Sequence, residues 1–485
     1  MLHLFASRRF LVLRLLVSAV PTAAVGLLVF HLLTRGIPHS YDATTYVRSL
    51  WGVAHGDFFN PVVSTHVFGI HGQFVLVLLA PFVHISSALV TLVTAQAVAF
   101  GVTVWLVVTA FQSVSQESGE SKLVQAGSVV LGALLVVAGT PFAVNPFLFD
   151  ARPDLLGIPL VLAGLLRAER SGQLDRKASL LLLSSLLVRE DYAMAVAPAF
   201  VFLPHERGRR VSFVLAGLAI GYWVAYLFGI RFLLGGPGLV KAFTVIGTNL
   251  ADPAADAAKA VTWGELARYK LEILLLAGAA TGGYAIRARL RFWLVLAPAL
   301  LFLLGNNRLQ PWVLNTHYTM FVAPGILAAG VAGFRRVRKL DPVAPGFRRF
   351  GLPAGLAAAC FIVSSALPGG GRFHGNLFLL PFPSTARRDV AIQTLAAYRG
   401  ALKRVPAGDG VAVPYALGPP MAERTMIRVN EAFYPGELED TGTFTAIRWV
   451  GVLRPQWGSI AKALIEKHGF RVVAVVPERF ALLEK

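Results

Sequence analysis

Residues 86–111 read SSALVTLVTAQAVAFGVTVWLVVTAF, 26 positions without a single charge. As an α-helix rising 1.5 Å per residue, the stretch covers about 39 Å, more than the roughly 30 Å hydrocarbon core of a bilayer. Working outward, similar runs recur along most of the 485 residues, of which 55% are hydrophobic and only 15% charged. Mean hydropathy is +0.63. A soluble chain carries roughly 25% charged residues, so a purely soluble enzyme is excluded. Backbone polar groups inside lipid must be satisfied within the segment, and no short alternating strands point to a barrel. The expected fold is an all-α polytopic membrane bundle.

The same reading yields about eleven spans: Phe10–Leu33, Ser86–Phe111, Lys122–Phe142, Leu155–Leu166, Ala178–Val188, Tyr192–Leu203, Val211–Leu234, Leu271–Ile286, Phe292–Leu304, Thr319–Phe334 and Gly351–Leu367. Arg8, Arg9 and Arg14 flank the first span. It outruns a signal-peptide core, which makes it an uncleaved helix with its N-terminus inside. A large polar outer loop, residues 34–72, follows. Gln73–Val83 is too short to span and is broken by Pro81, so an interfacial or re-entrant helix is expected there. On this topology the inner segments hold twenty Lys and Arg, and the much longer outer loops ten. That is the bias cytoplasmic loops show. The Gln112–Ser121 loop, with Glu117 and Glu120, alone lacks a positive signature.

The net charge of +19 therefore reports topology and not nucleic-acid binding. Cys360 is the only cysteine, which excludes an intrachain disulfide or a cysteine metal cluster. An odd number of spans divides the chain into a membrane domain, residues 1–367, and an outer domain, residues 368–485. The latter carries 15 cations and 10 anions in 118 residues. It reads as a small α/β domain. Val411–Val413 and Met426–Val429 are expected strands, and Ile447–Leu453, Ser459–His468 and Arg471–Val476 a strand–helix–strand unit.

Five polar clusters fall on the outer side: His39–Tyr46, Ser64–His71, Phe149–Asp154, Arg189–Tyr192 and Asn306–Tyr318. Taken singly, each is as easily a solvated loop residue or a helix cap. Taken together, ionisable groups gathered at one membrane face point to a shared cavity. His66 and His71 are five apart and share no helical face. No dense acid and histidine motif selects a metal.

These residues also carry a resemblance. Asp42 and Tyr46 just after the first helix, with Asp150 to Asp154 after the third span, are similar to the polytopic GT-C glycosyltransferases. Five stretches resemble one prokaryotic membrane family of that superfamily, the domain of unknown function numbered 2079. They are Leu50-Trp51-Gly-Val-Ala-His55-Gly56, Phe68-Gly69-Ile-His71, Phe149-Asp-Ala-Arg-Pro-Asp154, Arg189-Glu190-Asp191, and His317-Tyr318 with Pro324. Met421-Ala-Glu-Arg424 fits loosely. Arg152 stands where that family favours His, and Arg189 where it favours Lys.

The resemblance implies a glycosyltransferase in a prokaryotic cytoplasmic membrane, moving a sugar from a polyprenyl-phosphate donor to a glycan, lipid or protein acceptor at the outer face. Asp42 is the candidate general base, with Asp150 and Asp154 as alternative catalytic carboxylates. Arg152, Arg189, Arg308 and His317 are expected to face the leaving phosphate. Tyr46, His66, His71 and Tyr318 complete the expected substrate contacts. Asp150, Asp154, Glu190 and Asp191 are placed to hold sugar hydroxyls or a divalent cation such as Mg2+ or Mn2+. Two other classes remain open: a transporter or flippase for a lipid-linked or anionic substrate, and a non-catalytic envelope assembly protein. The transporter reading needs ionisable groups at mid-span or a matching inner cluster, and the sequence offers neither.

Overall fold

The computed structural model describes residues 2–34, 41–137, 143, 147, 151–235, 263–305, 317–340, 350–366, 400–406, 409–413, 421–423, 427–429, 447–453, 457–476 and 480–485. It is mostly helical, with a small mixed sheet at the C-terminal end. Four helical stretches are long and apolar enough to cross a membrane: Phe10–Phe30, Ala88–Glu117, Arg209–Leu233 and Thr319–Leu340. Shorter apolar helices, Lys122–Val137, Ile273–Arg287 and Leu290–Leu304, accompany them.

Helix α1 (Leu2–Thr34) presents Leu15, Leu16, Val20 and Leu27 outward, as lipid contact requires. The polar segment after it is more ordered than a loop. Ala43, Tyr46, Val47 and Leu50 lie three or four apart and are all buried, so α2 (Tyr41–Ala54) seats an apolar stripe. A short antiparallel hairpin, β1 (Phe59–Asn60) with β2 (Thr65–His66), and one helical turn, α3 (Val67–Ile70), lead into α4 (Val75–Val83). The nine-residue α4 is too short to span a bilayer and has Pro81 within it.

Helix α5 (Ala88–Glu117) runs through much of what reads as the Gln112–Ser121 loop. Gln112 and Ser115 are buried, and Ser115 Oγ bonds Ser128 Oγ of α6 (Lys122–Val137) at 2.6 Å, so the helix persists against a partner. The acids of this segment take cations from distant helices. Glu117 pairs with Arg335 and, at 3.7 Å, with Arg170. Arg335 also reaches Glu169 at 2.8 Å, and Arg338 pairs with Glu120. The expectation of no polar cluster at this end of the bundle is therefore corrected, because its members are too far apart in sequence to be read as one.

Helices α7 (Gly157–Ser171), α8 (Arg176–Leu186), α9 (Ala193–Phe202) and α10 (Arg209–Ala225) follow as antiparallel neighbours. Beyond α10 the helix continues through a π turn, Tyr226–Ile230, to Leu233. After α11 (Trp263–Ala279) and α12 (Leu290–Gly305) comes α13 (Ala323–Leu340), which lies in the most enclosed of the four candidate spans. Its close packing depends on small residues. A Cβ on Gly325 would fall 2.2 Å from a Leu296 methyl, and one on Gly333 would fall 1.8 Å from the Tyr284 backbone oxygen. Small residues let membrane helices approach where no hydrophobic force draws them together. Helix α14 (Leu352–Ala366) completes this part.

The C-terminal sheet has the order β4-β3-β5-β7-β6, from β3 (Val411–Val413), β4 (Ile427–Val429), β5 (Trp449–Leu453), β6 (Arg471–Val476) and β7 (Phe480–Glu484). The expected β5–helix–β6 unit forms, with α15 (Trp457–His468) between its strands, but β5 and β6 are not neighbours. The unexpected β7 lies between them, antiparallel to both. The sheet region docks through Ala422, which is buried in the core of the helical part. Glu423 Oε1 accepts from Leu89 N at 3.3 Å, in the first turn of α5.

Because backbone cannot yield as a side chain does, Gly333→Ala is expected to destabilise the protein by about 1–3 kcal/mol. Thermal unfolding in detergent reads this. A melting temperature equal to the parent's would show that α13 does not pack as closely as described.

Candidate functional site

Two short 3₁₀ turns carry the functional side chains. Pro153–Leu156 opens α7 and Glu190–Tyr192 opens α9. Each turn is preceded by an extended arginine, Arg152 or Arg189, so that a cation and carboxylates project from the same helix end. Loop backbone ahead of the first turn is held from within the membrane helix α5. The Gln96 amide donates to Phe147 O at 2.6 Å and accepts from Arg152 N at 2.8 Å.

From that anchor Arg152 reaches three partners. Its Nη1 donates to Asp42 Oδ2 at 2.5 Å, its Nη2 to the Tyr46 hydroxyl at 2.7 Å, and its Nε to Asp154 at 3.3 Å. The guanidinium also lies 4.9 Å from the centre of the Tyr46 ring. Arg189 completes the chain, with Nη1 to Asp154 Oδ2 at 2.6 Å and Nε to Asp191 Oδ2 at 2.9 Å. Asp191 Oδ1 accepts from Trp223 Nε1 of α10 at 3.1 Å. Glu190, fully buried, accepts from Gly72 N at 2.8 Å and contacts His71 Nδ1 at 2.7 Å. One histidine and two carboxylates, His71, Glu190 and Asp191, thus offer ligand atoms within 4.8 Å of one another.

Local sterics hold these parts in place. Tyr192 donates to Asp154 O at 2.9 Å, a reach open only because residue 157 is glycine; a Cβ there would fall 2.1 Å from the Tyr192 ring. At Gly72 a Cβ would come within 2.9 Å of Tyr226, whose hydroxyl donates to Phe68 O. Burial alone would raise the pKa of Asp154, yet the guanidiniums of Arg152 and Arg189 outweigh it and hold the carboxyl below its ordinary value. Asp191 moves the same way, with Arg189 overcoming burial. Burial pushes the Tyr46 hydroxyl up, so it stays protonated.

A family model described as predicted membrane protein DUF2079 matches residues 37–442, which take in every side chain of this network. The chain belongs to that family. It is a multi-pass membrane protein. Among curated proteins none matches it.

In this DUF2079 chain the structure brings together Asp42, Tyr46, His71, Arg152, Asp154, Arg189, Glu190 and Asp191. Asp150 and Arg308 lie outside the described residues, as do the side chains of His317 and Tyr318. His66 is set to another task. It caps α3, its Nδ1 accepting from Phe68 N at 3.2 Å, and it stacks on Phe58. Burial lowers its pKa, so a neutral ring does this work.

The two expected phosphate ligands also serve differently. Arg152 and Arg189 are 2% and 3% exposed, and among the described residues both bind carboxylates. Two residues escaped the sequence reading. Gln96 is a lone amide in an uncharged span, a signal that was available. Arg231 was not legible. The π turn sets it one turn beyond Tyr226, whose hydroxyl lies in the field of Glu190, Arg231 and Asp191.

Removing the Asp154 carboxylate takes from two buried guanidiniums the anion they share, leaving Arg152 with Asp42 and Arg189 with Asp191. Asp154→Ala should cost about 3–5 kcal/mol of stability, and Asp42→Asn at the exposed rim much less. Because the native pKa of Asp154 is depressed, its contribution is complete above the ordinary carboxylate value of about 3.9 and drains away as pH falls further. Melting curves of the parent from pH 7 to 3 should be flat in their upper part. An Asp154→Ala protein as stable as the parent would remove the network from the account of stability.

Proposed function

We propose that this chain is a GT-C-type glycosyltransferase, with Asp42 as the general base of an inverting transfer from a polyprenyl-phosphate sugar. One observation carries the reading. Of the four carboxylates in the network, Asp42 alone is substantially open, at 35% exposure, against 0% for Asp154, 0% for Glu190 and 18% for Asp191. Arg152 holds Oδ2 and so orients the carboxylate towards the rim of the site. A sugar on phosphate already has a good leaving group, so one positioned base on the acceptor hydroxyl suffices. Arg231, which forms no ion pair among the described residues, is the guanidinium to meet the leaving phosphate.

In this reading the chain makes eleven spans with its N-terminus inside. Residues 34–72 and the separate C-terminal domain then lie at the outer face. Two observations support the orientation. The bond from Leu89 N to Glu423 puts the sheet region at the same end of α5 as Gln96 and Arg152. The opposite end, about 22 Å away along the 15 residues of α7, carries Arg167, Arg170, Arg335 and Arg338.

A second reading, a flippase for the same class of lipid, draws on the ion pairs of Glu117, Glu120 and Glu169 at that opposite end. Two polar ends are what alternating access requires, although these groups sit at helix ends and not at mid-span.

Asp42→Asn preserves size while removing the basic oxygen. In proteoliposomes with a polyprenyl-phosphate sugar, turnover should fall by about two to four orders of magnitude with donor binding kept. Full activity in that variant would sink Asp42 as base, and donor movement without transfer in the parent would favour the flippase. A reporter fused after Lys485 should be active only outside the cytoplasm. Cytoplasmic activity would overturn the topology.

A further inference from the structure

We propose that His71, Glu190 and Asp191 bind a divalent transition-metal cation of the Mn2+ class, which bridges the site to the phosphate of the donor. The cation site stands on the geometry alone, whereas the bridge to phosphate rests on the transfer reading above.

The three side chains come from two elements 119 residues apart, and each offers one ligand atom within 4.8 Å of the others. His71 Nδ1 and Glu190 Oε1 are already 2.7 Å apart. Two ligands about 2.1 Å from one ion and at right angles stand about 3 Å apart, so little adjustment is needed to close on a metal. One imidazole with two carboxylates suits a hard transition-metal ion such as Mn2+. The imidazole draws transition metals, and the oxygens disfavour soft ones.

Charge argues the same way. Glu190 is fully buried, and among the described residues its carboxylate bonds no guanidinium. Arg152 serves Asp42 and Asp154, and Arg189 serves Asp154 and Asp191. A carboxylate taken out of water is costly unless paired; with His71 neutral, as a metal ligand must be, a divalent ion supplies the charge that an imidazolium would otherwise give.

Two buried polar atoms, one near Gly72 and one two residues from His71, have no hydrogen-bond partner among the described residues. Tyr222, whose hydroxyl is buried without a hydrogen-bond partner, lies 3.1 Å from where a Gly72 Cβ would stand, and the charge of Glu190 acts on it. Gln73, two residues beyond His71, is 2% exposed, and its amide nitrogen has no partner. The waters of a bound cation, or a phosphate oxygen in their place, would satisfy such groups. His71 and Asp191, each 18% exposed, leave one side of the trio open to entry.

The test uses the full chain in detergent, stripped with EDTA and titrated with MnCl2. Free Mn2+ is followed by its six-line EPR signal and bound Mn2+ by electron spin echo modulation. About one Mn2+ per chain should bind more tightly than about 100 µM, with nitrogen modulation from a directly bound imidazole. His71→Gln should abolish that modulation. His71→Gln and Asp191→Asn should each weaken binding by about tenfold or more, while the exposed Glu466→Gln control leaves it unchanged. Absence of stoichiometric binding to the parent, or binding unaltered in both variants, overturns the site.

Dodecyl phosphate should then give a 31P coupling to the bound ion that the same concentration of inorganic phosphate does not. A coupling from both assigns a free phosphate. No coupling from either overturns the bridge while leaving the cation in place. Mn2+ binding in a protein that transfers no sugar would count against the transfer reading and not against the metal.

Discussion

The carboxylate of Asp154, shut off from water and shared by Arg152 and Arg189, is the interaction on which the rest of the site depends. Buried ions are tolerated only when each has an opposite charge in good geometry, and here one anion stands between two cations. Each arginine then has donors left over. Arg152 spends them on Asp42 and Tyr46 of α2, and Arg189 on Asp191, which in turn holds Trp223 of α10. Helices α2, α7, α9 and α10 are thereby tied at one end of the bundle. The benefit is position more than stability, since an apolar substitute of equal volume would serve the fold as well.

Position also depends on what is missing. Gly157 lets Tyr192 lie flat against the helix that begins at the site, and Gly72 admits Tyr226. Both aromatic rings fill the space a methyl group would take. The polar network therefore sits on a close-packed floor of rings and glycines, and its side chains have few alternative rotamers to occupy.

Much of this was legible in the sequence. Apolar runs gave most of the helices, with ends displaced by up to about eight residues, as at Phe10 against Leu2 and Leu271 against Trp263, and acids and histidines recurred at the helix ends where Asp42, His71, Asp154 and Glu190 gather. The parts that were not legible share a cause. Whether Arg152 faces a substrate or a carboxylate depends on Asp42, 110 residues away, and no local pattern encodes that pairing. Arg335 and Glu117 are 218 apart, so the second polar end was invisible for the same reason. The π turn that places Arg231 leaves no mark on hydrophobic periodicity. Helix α2 is different. Its stripe of Ala43, Tyr46, Val47 and Leu50 is written in the sequence but is masked by the polar residues around it.

The bond between Glu423 and Leu89 joins residues 334 apart. In the order of synthesis this has a consequence. At ~5–20 residues per second, the amide at the head of α5 waits on the order of 20–70 s for its acceptor to be made. Throughout that interval the helix carrying Gln96 has its Ser87 cap but lacks this second acceptor. The last quarter of the polypeptide thus closes a bundle whose first quarter was laid down long before. The contact between α5 and the sheet region is therefore among the last to form, timed by the length of chain between these two residues.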